Sequence, residues 1–320
     1  GASSNCPPHL SAIAKHMGVK INLKAWQRLG QDIPLLVNCK PAGKHLMESF
    51  YKAGGIPAVM QELVKQKKLH TSVKTVSGKT LGENLKIKIN LDSDVIKSFS
   101  DPVVENAGFI VMRSNFFNSA VMKTSVISEE FRERYLSNPK HPNAFDAKAV
   151  VFEGPEDYHH RINSSKLKID ENSILIIRGC GPVGYPGSAE VVNMQPPDRL
   201  LKQGINALPT LGDGRQSGTS ESPSILNVSP ESAIGGDLSI VKTGDKLRID
   251  LNKKRVDLLI SPTEFKKRRK EKKIPKLKNQ TPWQEISRKT VGQLEDGACM
   301  NLSGVYLDIV NKKGPPRNSH

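Results

Sequence analysis

The chain has 320 residues, 37% of them apolar, and 48 Lys and Arg against 32 Asp and Glu give a formal charge of +16. No apolar run approaches the roughly 20 residues that a membrane-spanning helix needs, and the length is enough for two globular domains. The four cysteines, Cys6, Cys39, Cys180 and Cys299, include no C-x-x-C pair, which reads as reduced thiols of a cytoplasmic protein.

In chain order, apolar residues at three- and four-residue spacing predict helices over Pro8–His16, Leu23–Leu29, Lys44–Lys52 and Ile56–Lys67. The pattern then turns β-rich. Strands are expected at Gly108–Met112, Ala149–Phe152, Ile174–Ile177, Leu238–Val241, Lys246–Leu251 and Val256–Ile260. Residues 242–245 and 252–254 read as turns that join the last three into a meander. Between these strands, Pro155–Ile162 is expected as a helix carrying His159 and His160, whose adjacent spacing suits a surface better than a metal site.

A capping box, Ser261-Pro-Thr-Glu264, opens a basic helix, and residues 264–278 hold nine Lys or Arg against Glu264 and Glu271. Such charge attracts nucleic acid or anionic lipid. Without an aromatic platform or zinc motif, a solvated helix with its cations toward its C-terminus is the simpler reading.

Two loops carry the candidate chemistry. The first, Leu211-Gly-Asp-Gly-Arg-Gln-Ser-Gly-Thr-Ser220, is built of small and polar residues and presents the Ser217 hydroxyl where backbone leaves a strand end. A solvated Gly/Ser turn would look the same. The second, Arg178-Gly-Cys-Gly-Pro-Val-Gly-Tyr-Pro-Gly-Ser-Ala-Glu-Val191, leads from an apolar strand to one carboxylate, Glu190, which suits a Mg²⁺ ion that takes one or two protein carboxylates. A dinucleotide site is excluded, because prolines stand where a phosphate-binding helix would begin.

The strings RGCGPVGYPGSAEVVNMQPP, TLGDGRQSGTSESPSILNVSPESAIGG and TPWQEISRKTVGQLEDGA, with GASSN, KPAGK, AGGIPAV and TVSGKTLGENL before them, resemble the dihydroxy-acid and sugar-acid dehydratases over nearly the whole chain. The Gln-Ser-Gly-Thr-Ser loop and the Thr-Pro-Trp-Gln tail are similar to the sugar-acid branch, whose members dehydrate aldonates such as arabinonate, xylonate or gluconate. The resemblance implies an α/β plus β fold. Residues 1–105 are expected as the carboxy-terminal remnant of an α/β first domain. Residues 106–320 are expected as a β-barrel-like domain with peripheral helices, the basic helix and a helical tail in which Trp283 anchors against the barrel.

The implied activity is that of a hydro-lyase removing water from a 2,3-dihydroxy acid to give a 2-keto-3-deoxy acid. It implies a 2Fe-2S iron-sulfur cluster as Lewis acid for the departing C3 hydroxyl, and Mg²⁺ on the carboxylate and C2 oxygen. By the same resemblance Ser217 is the base, Glu190 a Mg²⁺ ligand, and Thr219 and His320 substrate contacts. Asp213 and Arg215 are expected to shape the loop and support its charge, as an ion pair within the turn. The family's cluster cysteines match nothing here, so the chain reads as a carboxy-terminal portion, inactive alone, of a homodimeric or homotetrameric enzyme. Two departures stand out: Cys180 replaces the branch's frequent Ala, and Glu221 follows the hydroxyl loop. The alternatives are the branched-chain dihydroxy-acid dehydratase and a non-catalytic binding module.

Overall fold

A computed structural model describes residues 1–89, 91–217 and 223–314. They form two compact units. One comprises Gly1, residues 29–108 and residues 124–126; the other holds residues 2–28, 109–123 and everything from residue 127 on. This division differs from a single cut at residue 105, since the first 28 residues group almost wholly with the strands.

The larger unit is a closed barrel of eight strands: β1 (Phe109–Ser114), β2 (Ser119–Lys123), β3 (Ala144–Glu153), β4 (Ser173–Arg178), β5 (Thr210–Gly212), β6 (Ile225–Ser229), β7 (Lys246–Asp250) and β8 (Arg255–Leu258). Their order around the barrel is β1-β2-β6-β5-β4-β3-β7-β8. The run β3-β4-β5-β6 is parallel, as is the β1–β8 closure, and the other neighbours are antiparallel.

Strands covered on both faces lose alternation and become continuous apolar runs. On β4, Ile174 and Ile176 enter the barrel core. Leu175 and Ile177 instead join Val150, Phe152, Leu200 and Leu208 in a second cluster, against which Tyr158 of the helix Pro155–Arg161 also packs. That double burial is why Ser173–Ile177 is legible in the sequence.

Two strands, β2 and β6, escape the sequence reading, and β5 is expected only as the strand end ahead of the Ser217 loop. β5 has only three residues, and β6 carries Asn227 and Ser229 among its apolar positions. Their pairing is dictated by barrel closure rather than by local pattern. Conversely, Leu238–Val241 is not a strand but lies in a 3₁₀ turn over Asp237–Ile240 and its exit. Leu238, Ile240 and Val241 are buried in the core, which imitates strand spacing, while the carbonyls of Leu238, Ser239 and Val241 all accept from Arg178. Only β7 and β8 pair as a hairpin, so no meander of three strands forms.

The basic helix spans Pro262–Glu271, and Ser261 Oγ accepts the Glu264 N–H at 3.1 Å as the capping box predicts. It is less solvated than expected. Arg268 is buried against Asp245 (2.5 Å) and Glu264 (2.7 Å), Arg269 and Lys272 both reach Asp237, and Phe265 packs on the barrel core. Three of the nine cations that might face a polyanion are thus tied to the protein's own carboxylates. Thr281 caps the following helix, Pro282–Thr290, but Trp283 is 76% exposed and anchors nothing against the barrel.

Helix Leu23–Gly30 lays Leu23 and Trp26 on Phe109, Val111 and Val121, with Trp26 edge-on to Phe109 at 6.3 Å. Helix Cys6–His16 packs against the 295–299 turn, where a Cβ on Gly297 would come 2.5 Å from the Ala12 nitrogen.

In the smaller unit, helices Met47–Lys52 and Gly55–Lys65 enclose Phe50, Ala53 and Ala58 with Cys39, Val95 and Ile96. The first begins three residues later than expected because His45 is drawn into a bridge with Cys39. Among the described residues no helix is long and apolar enough to cross a membrane.

Phe152, on β3, is fully buried and meets Tyr158 of the helix Pro155–Arg161 edge-on. Phe152→Ala is expected to lower unfolding free energy by about 3–5 kcal/mol in denaturant titration; a loss below about 1 kcal/mol would contradict this packing.

Candidate functional site

The glycine turn after β4 is held by two buried carboxylates. Asp213 accepts the backbone N–H groups of Gly179 (3.1 Å), Cys180 (2.9 Å) and Ser232 (2.9 Å), and the Ser232 hydroxyl at 2.6 Å. Glu231 accepts those of Val183 (2.9 Å) and Gly184 (2.8 Å), with Gln293 Nε2 at 2.8 Å. Both acids are fully enclosed, and N–H donors are what make a buried carboxylate tolerable.

The glycines have the same origin. A Cβ on Gly181 would lie 2.5 Å from a Glu231 oxygen, and one on Gly184 would lie 2.6 Å from the Gly179 carbonyl. Their small size serves internal packing. The Asp213–Arg215 ion pair expected in the turn does not form: Asp213 binds backbone, and Arg215 turns to Glu190.

The second loop zips onto this turn. Arg215 N–H donates to the Ala189 carbonyl (3.0 Å), and Val192 N–H donates to the Arg215 carbonyl (3.1 Å). Arg215 then spreads its guanidinium over the turn, donating to the Ser188 carbonyl at 2.9 Å and the Gly187 carbonyl at 3.3 Å. Its Nη1 contacts Glu190 Oε1 at 3.3 Å and Asn5 Oδ1 at 3.2 Å. The Asn5 amide donates to Glu190 Oε1 (2.7 Å) and to the Gln216 carbonyl (3.2 Å), which also accepts from Ser4 Oγ at 3.4 Å.

One carboxamide therefore joins Glu190 to the residue preceding Ser217. Ser217 is half-buried, and on its other side Gln216 Nε2 donates to Ser224 Oγ at 3.1 Å. Beside Arg215 opens a cavity of about 270 Å³ lined by His9, Ser188, Ser287 and Met300 among others. Thr219, Glu221 and His320 lie outside the described residues.

The structure brings Glu190, Arg215 and the Ser217 loop together, whereas the sequence pointed Arg215 at Asp213 and did not mark Asn5, Gln216 and Glu231 as supports. The signal for Asn5 was its place in the GASSN string, and that for Glu231 its place in the Ser-Pro-Glu-Ser run of the string that ends in AIGG. Burial pushes the Glu231 carboxyl above its ordinary range, opposed by its N–H donors.

The donor chemistry can be compared with the groups the resemblance implies. Burial and the nearby Asp213 push the Cys180 thiol far up, against the thiolate an iron-sulfur cluster requires, and burial raises Cys39 too. No three His, Cys, Asp or Glu side chains group as a metal shell among the described residues. These residues do not fit an iron-sulfur cluster, and for Mg²⁺ they offer the single carboxylate of Glu190.

Residues 94–298 match the carboxy-terminal domain model of dihydroxy-acid/6-phosphogluconate dehydratases, and residues 1–84 match the amino-terminal one. The chain belongs to this family. Because both domain models match, the expectation of a carboxy-terminal portion only is corrected.

Over its full length the chain is 54% identical to a D-xylonate dehydratase of Caulobacter vibrioides, of which it covers 53%. It is 40% identical, over 84% of its length, to an L-arabinonate dehydratase of Rhizobium leguminosarum bv. trifolii, covering 45% of that protein. A dihydroxy-acid dehydratase of Pyrococcus furiosus is 35% identical over 94% of the chain, with 52% of the relative covered. The chain spans about half the length of the curated relatives it matches, and its similarity favours the sugar-acid branch.

For Glu231, the folded state holds a proton at pH values where the unfolded chain has released it. Its contribution is therefore fully present below the ordinary carboxylate range and is lost as pH rises through the raised folded value. Glu231→Gln should accordingly destabilise more at pH 4 to 5 than at pH 7 to 8, measured by urea midpoints; a penalty that grows with pH would refute the assignment.

Proposed function

We propose that this chain carries the proton-accepting side of a sugar-acid dehydratase, a hydro-lyase that converts a 2,3-dihydroxy acid into a 2-keto-3-deoxy acid. The observation that supports it most is the zipping of the two loops by Arg215 and Asn5, which puts the Ser217 segment beside Glu190. In the reaction the C2 proton is removed and the C3 hydroxyl leaves as water. The resulting enol then takes a proton at C3 to become the keto acid.

Ser217 Oγ is the group we assign to accept the C2 proton. A hydroxyl does so only where nearby positive charge favours its alkoxide, and Arg215, two residues back, is one such charge. Glu190 is the oxygen we assign to a Mg²⁺ ion, a role in which it would exchange its contact with Arg215 for the cation. Thr219 and His320 are proposed to touch substrate hydroxyls.

The described residues do not supply the ligands of an iron-sulfur cluster. D-xylonate and L-arabinonate are the substrates to try, since the two sugar-acid relatives carry those names; the 35% identity to a dihydroxy-acid dehydratase leaves that reading second.

In the full-length enzyme, Ser217→Ala should cut turnover of D-xylonate by about a hundred- to ten-thousandfold, followed by the appearance of the 2-keto product, without change in melting temperature. Undiminished turnover in that variant would remove Ser217 as the base.

A further inference from the structure

Lys123 ends β2 and is 5% exposed, yet among the described residues no carboxylate pairs with it. Along β2, Ala120 and Met122 enter the barrel core, whereas Val121 lies on the outer face with Phe109. Alternation puts Lys123 on that outer face as well. The β2–β6 register sets Met122 opposite Ile225, so Lys123 stands opposite Ser224. Ser224 is where the Ser217 loop returns to the barrel, and it holds the Gln216 side chain.

Cys6, next to the Asn5 that bridges Glu190 and Gln216, lies close enough to Lys123 to interact with it electrostatically. Both neighbours of this lysine therefore belong to the frame of the candidate site.

A buried ammonium without a counter-ion is strongly disfavoured, and lysine is rarely enclosed unless paired. The carboxylates of the site are committed elsewhere: Asp213 and Glu231 to backbone N–H groups, Glu190 to Asn5 and Arg215. Burial pulls the proton affinity of Lys123 below its ordinary value, so an arriving anion would restore the charged form.

We propose that Lys123 is an anion anchor of this site, receiving one oxygen of the sugar acid's carboxylate and leaving the other to the Mg²⁺ that the family resemblance implies, while the Ser217 loop addresses its C2 carbon. The assignment rests on the dehydratase reading. An ammonium suits this task because it gives a compact charge with three donors, and enclosure strengthens its pairing with a carboxylate.

The test is calorimetric binding of D-xylonate and of its uncharged amide to the full-length enzyme, as wild type, Lys123→Met and Lys123→Arg. Wild type should prefer the acid. Lys123→Met should weaken acid binding by about tenfold or more while leaving amide binding within about twofold, and Lys123→Arg should recover most of the loss. Should Lys123→Met not fold, Lys123→Arg serves to assign the Lys123 ¹³Cε resonance of the wild type, which should shift on addition of xylonate and not of the amide.

Equal loss of acid and amide binding, unchanged acid binding, or an unmoved resonance would each overturn the assignment. A wild type that binds and dehydrates xylonate while the variant binds it equally removes only Lys123. A wild type that takes up no sugar acid removes the function on which it rests.

Discussion

Everything in the candidate site depends on buried carboxylates being satisfied by backbone N–H groups. Asp213 fixes where the turn leaves β4, Glu231 fixes its middle, and neither is available for chemistry. Enclosing two negative charges is costly in isolation, and it is sustained here by five N–H donors and the side chains of Ser232 and Gln293. With the turn immobilised, Glu190 projects from a defined position and Arg215 has fixed carbonyls to grip. The exposed charge is placed by hidden ones.

That arrangement explains which parts of the molecule were legible in sequence. β3 and β4 announce themselves because both faces are buried, so Val150–Phe152 and Ile174–Ile177 are apolar without interruption. β2 and β6 do not, because a short strand with polar positions owes its existence to its neighbours in the ladder. The 237–240 turn misleads for the reverse reason: it buries alternate side chains as a strand would, but its carbonyls go to Arg178 instead of a ladder.

In the site, the Glu190 and Ser217 loops were legible as strings of small residues around one functional group each. Their supports were not. Asn5 lies more than 180 residues from Glu190 in sequence, and the role of Glu231 emerges only once Gly181 and Gly184 are seen to make room for it. The basic helix shows the same limit, since its charge count says nothing of Asp237 and Asp245 waiting on another segment.

Among the described residues β5 meets β6 through the ladder pair Leu211 with Ile225, backed by the Asn227 N–H donating to the Gly214 carbonyl at 3.0 Å, and the Ser217 loop departs from that seam. Elsewhere the cylinder is stitched by longer ladders, six pairs between β3 and β4 among them. The consequence is a division of labour along one circumference. The stretch between these two strands opens with Asp213, Arg215 and Gln216, whose bonds hold the neighbouring turn, so a change of composition there is felt at Glu190 before it is felt in the cylinder.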